Sequence, residues 1–144
     1  MELHYLSATE ALSKFKNKTL SPVELTKAII ERSEKVNPKI NAHNFTFYEE
    51  AIINAKKSEG KYFANNEKIL PLEGITLAIK DEEDIEGQPN TNGSLILKDH
   101  IATKTMVDVE RIVNSGAIIH ARTTTPEFSC TSFTHSKLWG VTRN

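Results

Sequence analysis

The 144 residues suffice for one domain with a core and fall short of two ordinary ones. Hydrophobic residues make up 38% and charged residues 26%, which excludes a disordered chain, and a net charge of -1 with pI ≈ 6.5 gives no reason to expect nucleic acid or an anionic membrane as partner. Cys130 is the one cysteine, so no internal disulfide forms and a reducing cytoplasm is the expected location; no apolar stretch nears the ~20 residues that span a bilayer, and Met1-Glu-Leu-His-Tyr5 lacks the pattern of a signal peptide.

The first sixty residues read as helices. Ser7-Ala-Thr-Glu10 and Ser21-Pro-Val-Glu24 both fit the capping box, in which a serine hydroxyl takes the N3 amide and a glutamate reaches back. Pro22 falls at the first helical position, where a missing N–H costs nothing. The helix it opens carries Val23, Ile29, Ile30 and Val36 near one face, and Asn37-Pro38 is expected to stop it. A third helix is expected from near Phe47 through Glu49, Ala51, Ile52 and Ala55, ending before Gly60. Phe45, Phe47, Tyr48, Tyr62 and Phe63 are read as packing aromatics.

Leu70-Pro-Leu-Glu-Gly-Ile-Thr-Leu-Ala-Ile-Lys80-Asp81 is the segment that organises the chain. From Gly74 it is a short, branched, nearly continuous apolar run, the pattern of a strand buried on both faces of a parallel sheet. It ends on Lys80, at the carboxyl end of a core strand, where open α/β sheets place their ligands. An acidic run (Asp81-Glu-Glu-Asp84, then Glu86) and a Gly, Pro and Asn-rich loop to Ser94 follow. Met106, Val109, Ile112 and Val113 recur at helical spacing and Asn114-Ser115-Gly116 closes that helix. Ala117-Ile118-Ile119 begins a second buried strand, running out at Arg122-Thr-Thr-Thr-Pro126. Strand, helix, strand predicts a βαβ unit with parallel strands, so the second strand ends on the same sheet edge as Lys80. The segment from Pro126 to Asn144 is read as a loop at a site or surface rather than as sheet. Two parallel strands do not close a core, which suggests part of something larger. Residues 1–65 are then a helical N-terminal region and 70–144 the start of an α/β core.

Two readings of Lys80 stand side by side. Its stem can cover apolar surface while the ammonium pairs with Asp81 or Asp84. Alternatively it is buried among hydroxyls, where desolvation favours a neutral amine able to take a proton and activate a serine. The acidic run lacks the alternating ligand spacing of a calcium loop and is read as a solvated turn. His4, His43, His100, His120 and His135 form no i, i+4 pair, so no zinc site is expected, and no cofactor is expected either. Ser94 lies in a turn without the strand-turn-helix context of a nucleophile elbow, and Cys130 reads as a buried small side chain rather than a reactive thiol.

The residues Gly74 to Asp81, then Gly87, Pro89, Thr91 and Gly93-Ser94, resemble the first half of the amidase signature family. Gly116-Ala-Ile-Ile, Thr123-Thr-Thr-Pro126-Glu127-Phe128 and Trp139-Gly140-Val-Thr-Arg-Asn144 resemble the same family's next block, and Ser21-Pro-Val-Glu-Leu25 its usual start. The resemblance covers essentially the whole chain, as a single incomplete amidase-type domain. It implies an α/β fold with a mixed sheet flanked by helices, and an amide hydrolase or amidotransferase subunit that cleaves amide carbon–nitrogen bonds by a Ser, cis-Ser, Lys triad whose lysine is Lys80. Both family serines lie in a glycine- and serine-rich block beyond the position of Asn144, and no Gly-Gly-Ser-Ser-Gly-like segment occurs in residues 1 to 144. The expectation is therefore a chain inactive alone, with a small-molecule amide as the complete enzyme's substrate and a C-terminal half or a second copy as partner. Residues 127–137, with Cys130, Thr131 and Ser132 foremost, are expected to line the substrate site. Glu82 stands where the family often has asparagine, Asn90 where threonine is common, Ala121-Arg122-Thr123-Thr124 replaces a frequent Gly-Lys-Thr-Asn, and Ser136 sits where a later asparagine is expected. The alternative is a non-catalytic remnant or interaction module that keeps the first half of the fold and uses Lys80 for packing.

Overall fold

The computed structural model describes residues 2–64 and 68–144. Its contacts group into two compact units: Met1–Lys35 with Phe47–Leu77 and Ile112–His120, and Val36–Thr46 with Ala78–Arg111 and Ala121–Asn144. The longer elements are α1 (Ala8–Lys16), α2 (Pro22–Ile40), β1 (His43–Thr46), α3 (Tyr48–Phe63), β2 (Thr76–Lys80), α4 (Val107–Asn114) and β3 (Ile118–Thr123).

Both capping boxes form. The Ser7 hydroxyl accepts from the Glu10 amide at 3.2 Å while Glu10 takes the Ser7 amide at 2.9 Å, and Ser21 and Glu24 exchange the same pair of bonds at 3.1 and 2.8 Å. Helix α2 does not stop at Asn37-Pro38 but continues to Ile40. The Asn37 carbonyl still receives the Asn41 amide at 2.8 Å, and the Asn37 side-chain oxygen takes the Ala42 and His43 amides. Pro38 therefore sits in a last turn that Asn37 closes, with Asn41 in the left-handed region beyond it. Helix α3 likewise runs through Gly60 to Phe63, because Ser58, Lys61 and Tyr62 are all bonded to Glu73 and hold the last turn against the glycine's preference.

In the first unit Ala11, Phe15, Leu20 and Leu25 form one buried cluster, with Leu3, Leu6, Leu12, Ile29, Tyr62 and Ile75 around it. Ala51, Ala55 and Ile118 form another beside Val23. The aromatics pack as expected in part: Phe15 meets Tyr62 and Tyr48 stacks on His120, while Phe63 is exposed with Lys18 over its ring.

The sheet order is β1-β3-β2. Ile118 donates to the Ile75 carbonyl at 2.8 Å and Asp81 to the Thr123 carbonyl at 2.9 Å, so β2 and β3 advance in step as a parallel pair with α4 between them in sequence. β1, which the sequence reading did not foresee, pairs antiparallel with β3 through Phe45 against Arg122 and Thr46 against Ala121, making the sheet mixed. β3 is central and buried along most of its length. Among the described residues β2 pairs with β3 alone, and apart from Ile79 its side chains are half buried in this chain, where the sequence predicts burial on both faces. The apolar run reads the same for an edge strand and a central one, because the neighbour that would cover it lies elsewhere in sequence.

The segment after Pro126 is not all loop. Glu127–Ser129 makes a 3-10 turn, and β4 (His135–Ser136) pairs antiparallel with β5 (Gly140–Val141). The tail is tied down within the second unit: Asn41 donates to the Trp139 carbonyl at 2.6 Å, and Phe45 meets the Trp139 ring edge-on at 5.3 Å. Among the described residues no helix is long and apolar enough to cross a membrane.

Candidate functional site at the end of β2

Among the described residues, the side chains that pair with the Lys80 amine belong to the second unit. The amine lies 2.8 Å from a Glu82 carboxylate oxygen and donates to the Ser129 hydroxyl at 3.1 Å. Ser129 in turn donates to the other Glu82 oxygen, and its Oγ lies 3.0 Å from Thr125 Oγ1. The group is accessible: the side chains of Lys80 and Glu82 are 41% and 26% exposed. Two expectations are corrected here. The lysine pairs with Glu82 rather than with Asp81 or Asp84, and it meets a carboxylate and one hydroxyl at a half-open surface rather than lying buried among hydroxyls.

Asp81 cannot serve as the lysine's partner because it is fully buried and occupied. One carboxylate oxygen takes the Thr91 amide at 2.8 Å; the other takes the Asn44 side chain at 2.7 Å and the Thr91 hydroxyl. Thr91 Oγ1 also accepts from the Trp139 indole at 2.9 Å. This lock clamps the backbone one residue past Lys80 to strand β1, the loop and the tail, with both carboxylate oxygens meeting donors.

The acidic run is therefore no solvated turn. Arg122, itself fully buried, reaches into it and donates through Nη2 to the carbonyls of Lys80 (3.0 Å) and Glu83, and through Nη1 to Gln88 at 3.4 Å. Burial pulls the Arg122 guanidinium below its ordinary pKa, while Asp81, Asp84 and Glu83 hold it charged. Glu83 is pushed above the usual carboxylate value by burial and by Asp108 and Glu82, against the pull of Arg122. Asp84 accepts from Asn90 at 2.5 Å. The acids thus surround a buried cation from the neighbouring strand, which a reading along the sequence cannot see.

Of the residues expected to line a substrate site, Cys130 is exposed rather than buried, and its thiol donates to the Phe128 carbonyl at 3.4 Å. Thr131 is exposed and donates to the Phe133 carbonyl, and Ser132 is exposed. None of these bonds reaches Lys80. The hydroxyl that does, Ser129, falls within the expected 127–137 stretch but is not singled out there as the lysine's partner: it is 49 residues from Lys80 and carries no local motif. Phe128 and Ser129 both sit in the left-handed region, at φ 51° and 53°, which is uncommon for residues with a Cβ. Ser94 is fully buried and donates to Glu127 at 2.7 Å, with its Oγ also taking the Ile96 amide, so it is engaged structurally.

The fold and the position of Lys80 define an α/β protein with a polar cluster at the carboxyl ends of two parallel strands, and comparison with known proteins gives the class a family. Residues 24–144 match the amidase family profile. The chain is 36% identical to an acylamidase of Rhodococcus erythropolis over 99% of its own length and 30% of the relative's. It is 35% identical to an indoleacetamide hydrolase of Bradyrhizobium diazoefficiens over 96% and 26%. A crystal structure of a bacterial aryl acylamidase of the amidase signature family superposes with a TM-score of 0.92 at 26% identity, covering 100% of this chain and 30% of that one. The chain belongs to the amidase family, and it spans between 26% and 30% of the length of these relatives.

Proposed function

We propose that this chain is the N-terminal part of an amidase-family hydrolase of amide carbon–nitrogen bonds, acting in the cytoplasm, to which it contributes the lysine of the catalytic triad, Lys80. The observation that carries this reading is the placement of Lys80 at the end of β2, beside the end of β3, in a chain whose match to the amidase family covers both strands. In the mechanism that the resemblance implies, the Lys80 amine accepts a proton through a bridging serine, the activated serine attacks the amide carbonyl, and water hydrolyses the acyl-enzyme. Residues 1–144 contain no glycine- and serine-rich block to supply those two serines. Base, nucleophile and oxyanion donors act as a unit, so a base alone contributes little. The single incomplete domain, with its N-terminal region mainly helical apart from β1 and its α/β core from β2 onward, is then completed by a C-terminal half that carries the serines. Cys130, Thr131 and Ser132, exposed and next in sequence to Ser129, would face the substrate there.

A second reading is a non-catalytic remnant, and the ion pair between Lys80 and Glu82 favours it, because it commits the amine to a contact within this chain. One experiment separates the two. Residues 1–144 alone should turn over no aliphatic or aromatic amide; mixing with a separately expressed C-terminal half of an amidase-family protein should restore turnover, and Lys80→Ala should abolish it. Lysine-dependent hydrolysis by residues 1–144 alone, or restored activity that survives Lys80→Ala, would overturn the proposal. Mixing that restores nothing favours the remnant.

A further inference from the structure

We infer that Ser129 is a reactive hydroxyl in its own right, a site of covalent capture by activated acyl and phosphonyl electrophiles that needs no residue outside this chain. Three observations meet at one atom. Ser129 Oγ donates a hydrogen bond to a Glu82 carboxylate oxygen, the group placed to take its proton. Glu82 is oriented by Lys80, whose amine holds the other carboxylate oxygen at 2.8 Å. The same ammonium donates to Ser129 Oγ at 3.1 Å, placing positive charge beside the oxygen as it gives up its proton. Nucleophile bonded to base, and base bonded to an orienting group, is the arrangement that makes an otherwise weak hydroxyl reactive.

The backbone supports the same reading. Ser129 follows the exit of β3 and stands with Phe128 in the left-handed region, a conformation that is unfavourable for a side-chain-bearing residue and that collects at functional sites. It presents the hydroxyl at an exposed position, where an electrophile can reach it. A serine needed only as a surface residue has no reason to sit in strained backbone between a carboxylate and an ammonium. The step is stoichiometric. The Ser129 and Cys130 amides already donate to the Pro126 and Glu127 carbonyls, so neither is available to hold a developing oxyanion and support turnover.

With a fluorophosphonate the chemistry balances as follows: the bond from Ser129 Oγ to phosphorus forms, the phosphorus–fluorine bond breaks, fluoride leaves, and the hydroxyl proton passes to Glu82. The site is assembled within residues 1–144 with Lys80 as an orienting cation, so labelling of Ser129 is read without turnover by the completed enzyme. The test is intact mass and peptide mapping of the 144-residue chain after exposure to an alkyl fluorophosphonate. The expected result is a single adduct on Ser129 that is lost in Ser129→Ala and forms roughly 100-fold more slowly in Glu82→Gln, the scale of a lost general base. No adduct at saturating probe, an adduct on another residue, or a Ser129 labelling rate unchanged by Glu82→Gln would overturn the inference.

Discussion

Lys61 and Lys80 each face a glutamate at about the same distance, 3.0 Å to Glu73 and 2.8 Å to Glu82, yet the two pairs are built in opposite ways. Glu73 has a side chain only 2% exposed; it accepts from the Ser58 hydroxyl at 2.6 Å and from Lys61 with both oxygens, and its own carbonyl takes the Tyr62 hydroxyl. Burial of the Tyr62 phenol and the charge of Glu73 push its pKa up to about 12, so the donor stays protonated. Each donor comes from the last turns of α3, and the pair fastens that helix to the segment before β2. Glu82 accepts from one amine and one hydroxyl at a surface that solvent reaches. The contrast separates an ion pair whose carboxylate is committed to folding from one whose groups remain open to another molecule. It is burial of the acid, not the length of the bond, that divides them.

Backbone substitutions test the contrast most severely. Gly116, at φ +95°, packs so closely against Glu73 that an added Cβ would lie 2.8 Å from its Cα. Gly116→Ala should cost about 4 kcal/mol, from left-handed strain and overlap with backbone together. Gly87, in the loop after the acidic run, has φ +77° with nothing within 4 Å of its Cβ position. Gly87→Ala should cost only the strain, about 1 kcal/mol. Urea denaturation of both variants checks the difference, and equal losses would mean that the surroundings of Glu73 yield as readily as open loop.

Removing the carboxylates themselves should give the next largest effect. Glu73→Ala strips the buried Ser58 hydroxyl of its acceptor and leaves Lys61 unpaired, at about 3 kcal/mol. Glu82→Ala and Lys80→Ala should each stay within about 1 kcal/mol, as half-exposed pairs do. The order of the unfolding midpoints tests this. A loss from Lys80→Ala comparable to that from Glu73→Ala would make Lys80 a structural residue and favour the remnant reading.

The same contrast explains what the sequence revealed. The capping boxes at Ser7 and Ser21 were legible because every partner lies within three residues. The strand ending on Lys80 and its parallel partner were legible from their apolar runs, and the family resemblance followed from the same residues. Pro38 and Gly60 misled because propensity is a weak force beside a side-chain bond: Asn37 closes one helix end, and Glu73 holds the other. The surroundings of Lys80 were legible only coarsely, as the exit of the second strand and residues 127–137, and not as particular pairings. Ser129 approaches from 49 residues away, Arg122 reaches Glu83 from 39 away, and Asn44 reaches Asp81 from 37 away, and none of these pairings leaves a periodic trace. An acidic run reads as solvated until the cation that crosses to it from the next strand is known.

The smallest effects are electrostatic and of opposite sign in two places. Glu10, exposed in the α1 capping box, has its pKa lowered from 4.5 by bonds from the Ser7 hydroxyl and amide. A carboxylate lowered in the folded state adds stability that is present above its unfolded value and lost as pH falls through the folded one. Glu83 is raised from the same 4.5 by burial, Asp108 and Glu82. Its contribution is present below the unfolded value and lost as pH rises through the raised one. Glu10→Gln should therefore lower the urea midpoint at about pH 7 and leave it almost unchanged at about pH 3, while Glu83→Gln should raise it at about pH 7 and do little at about pH 3. Measuring both variants at both pH values assigns each slope to its group. If Glu83→Gln destabilises at neutral pH instead, the Glu83 carboxylate is paired more strongly by Arg122 than it is opposed by Asp108, and the acidic run is a binding network for the buried guanidinium rather than a crowded set of like charges.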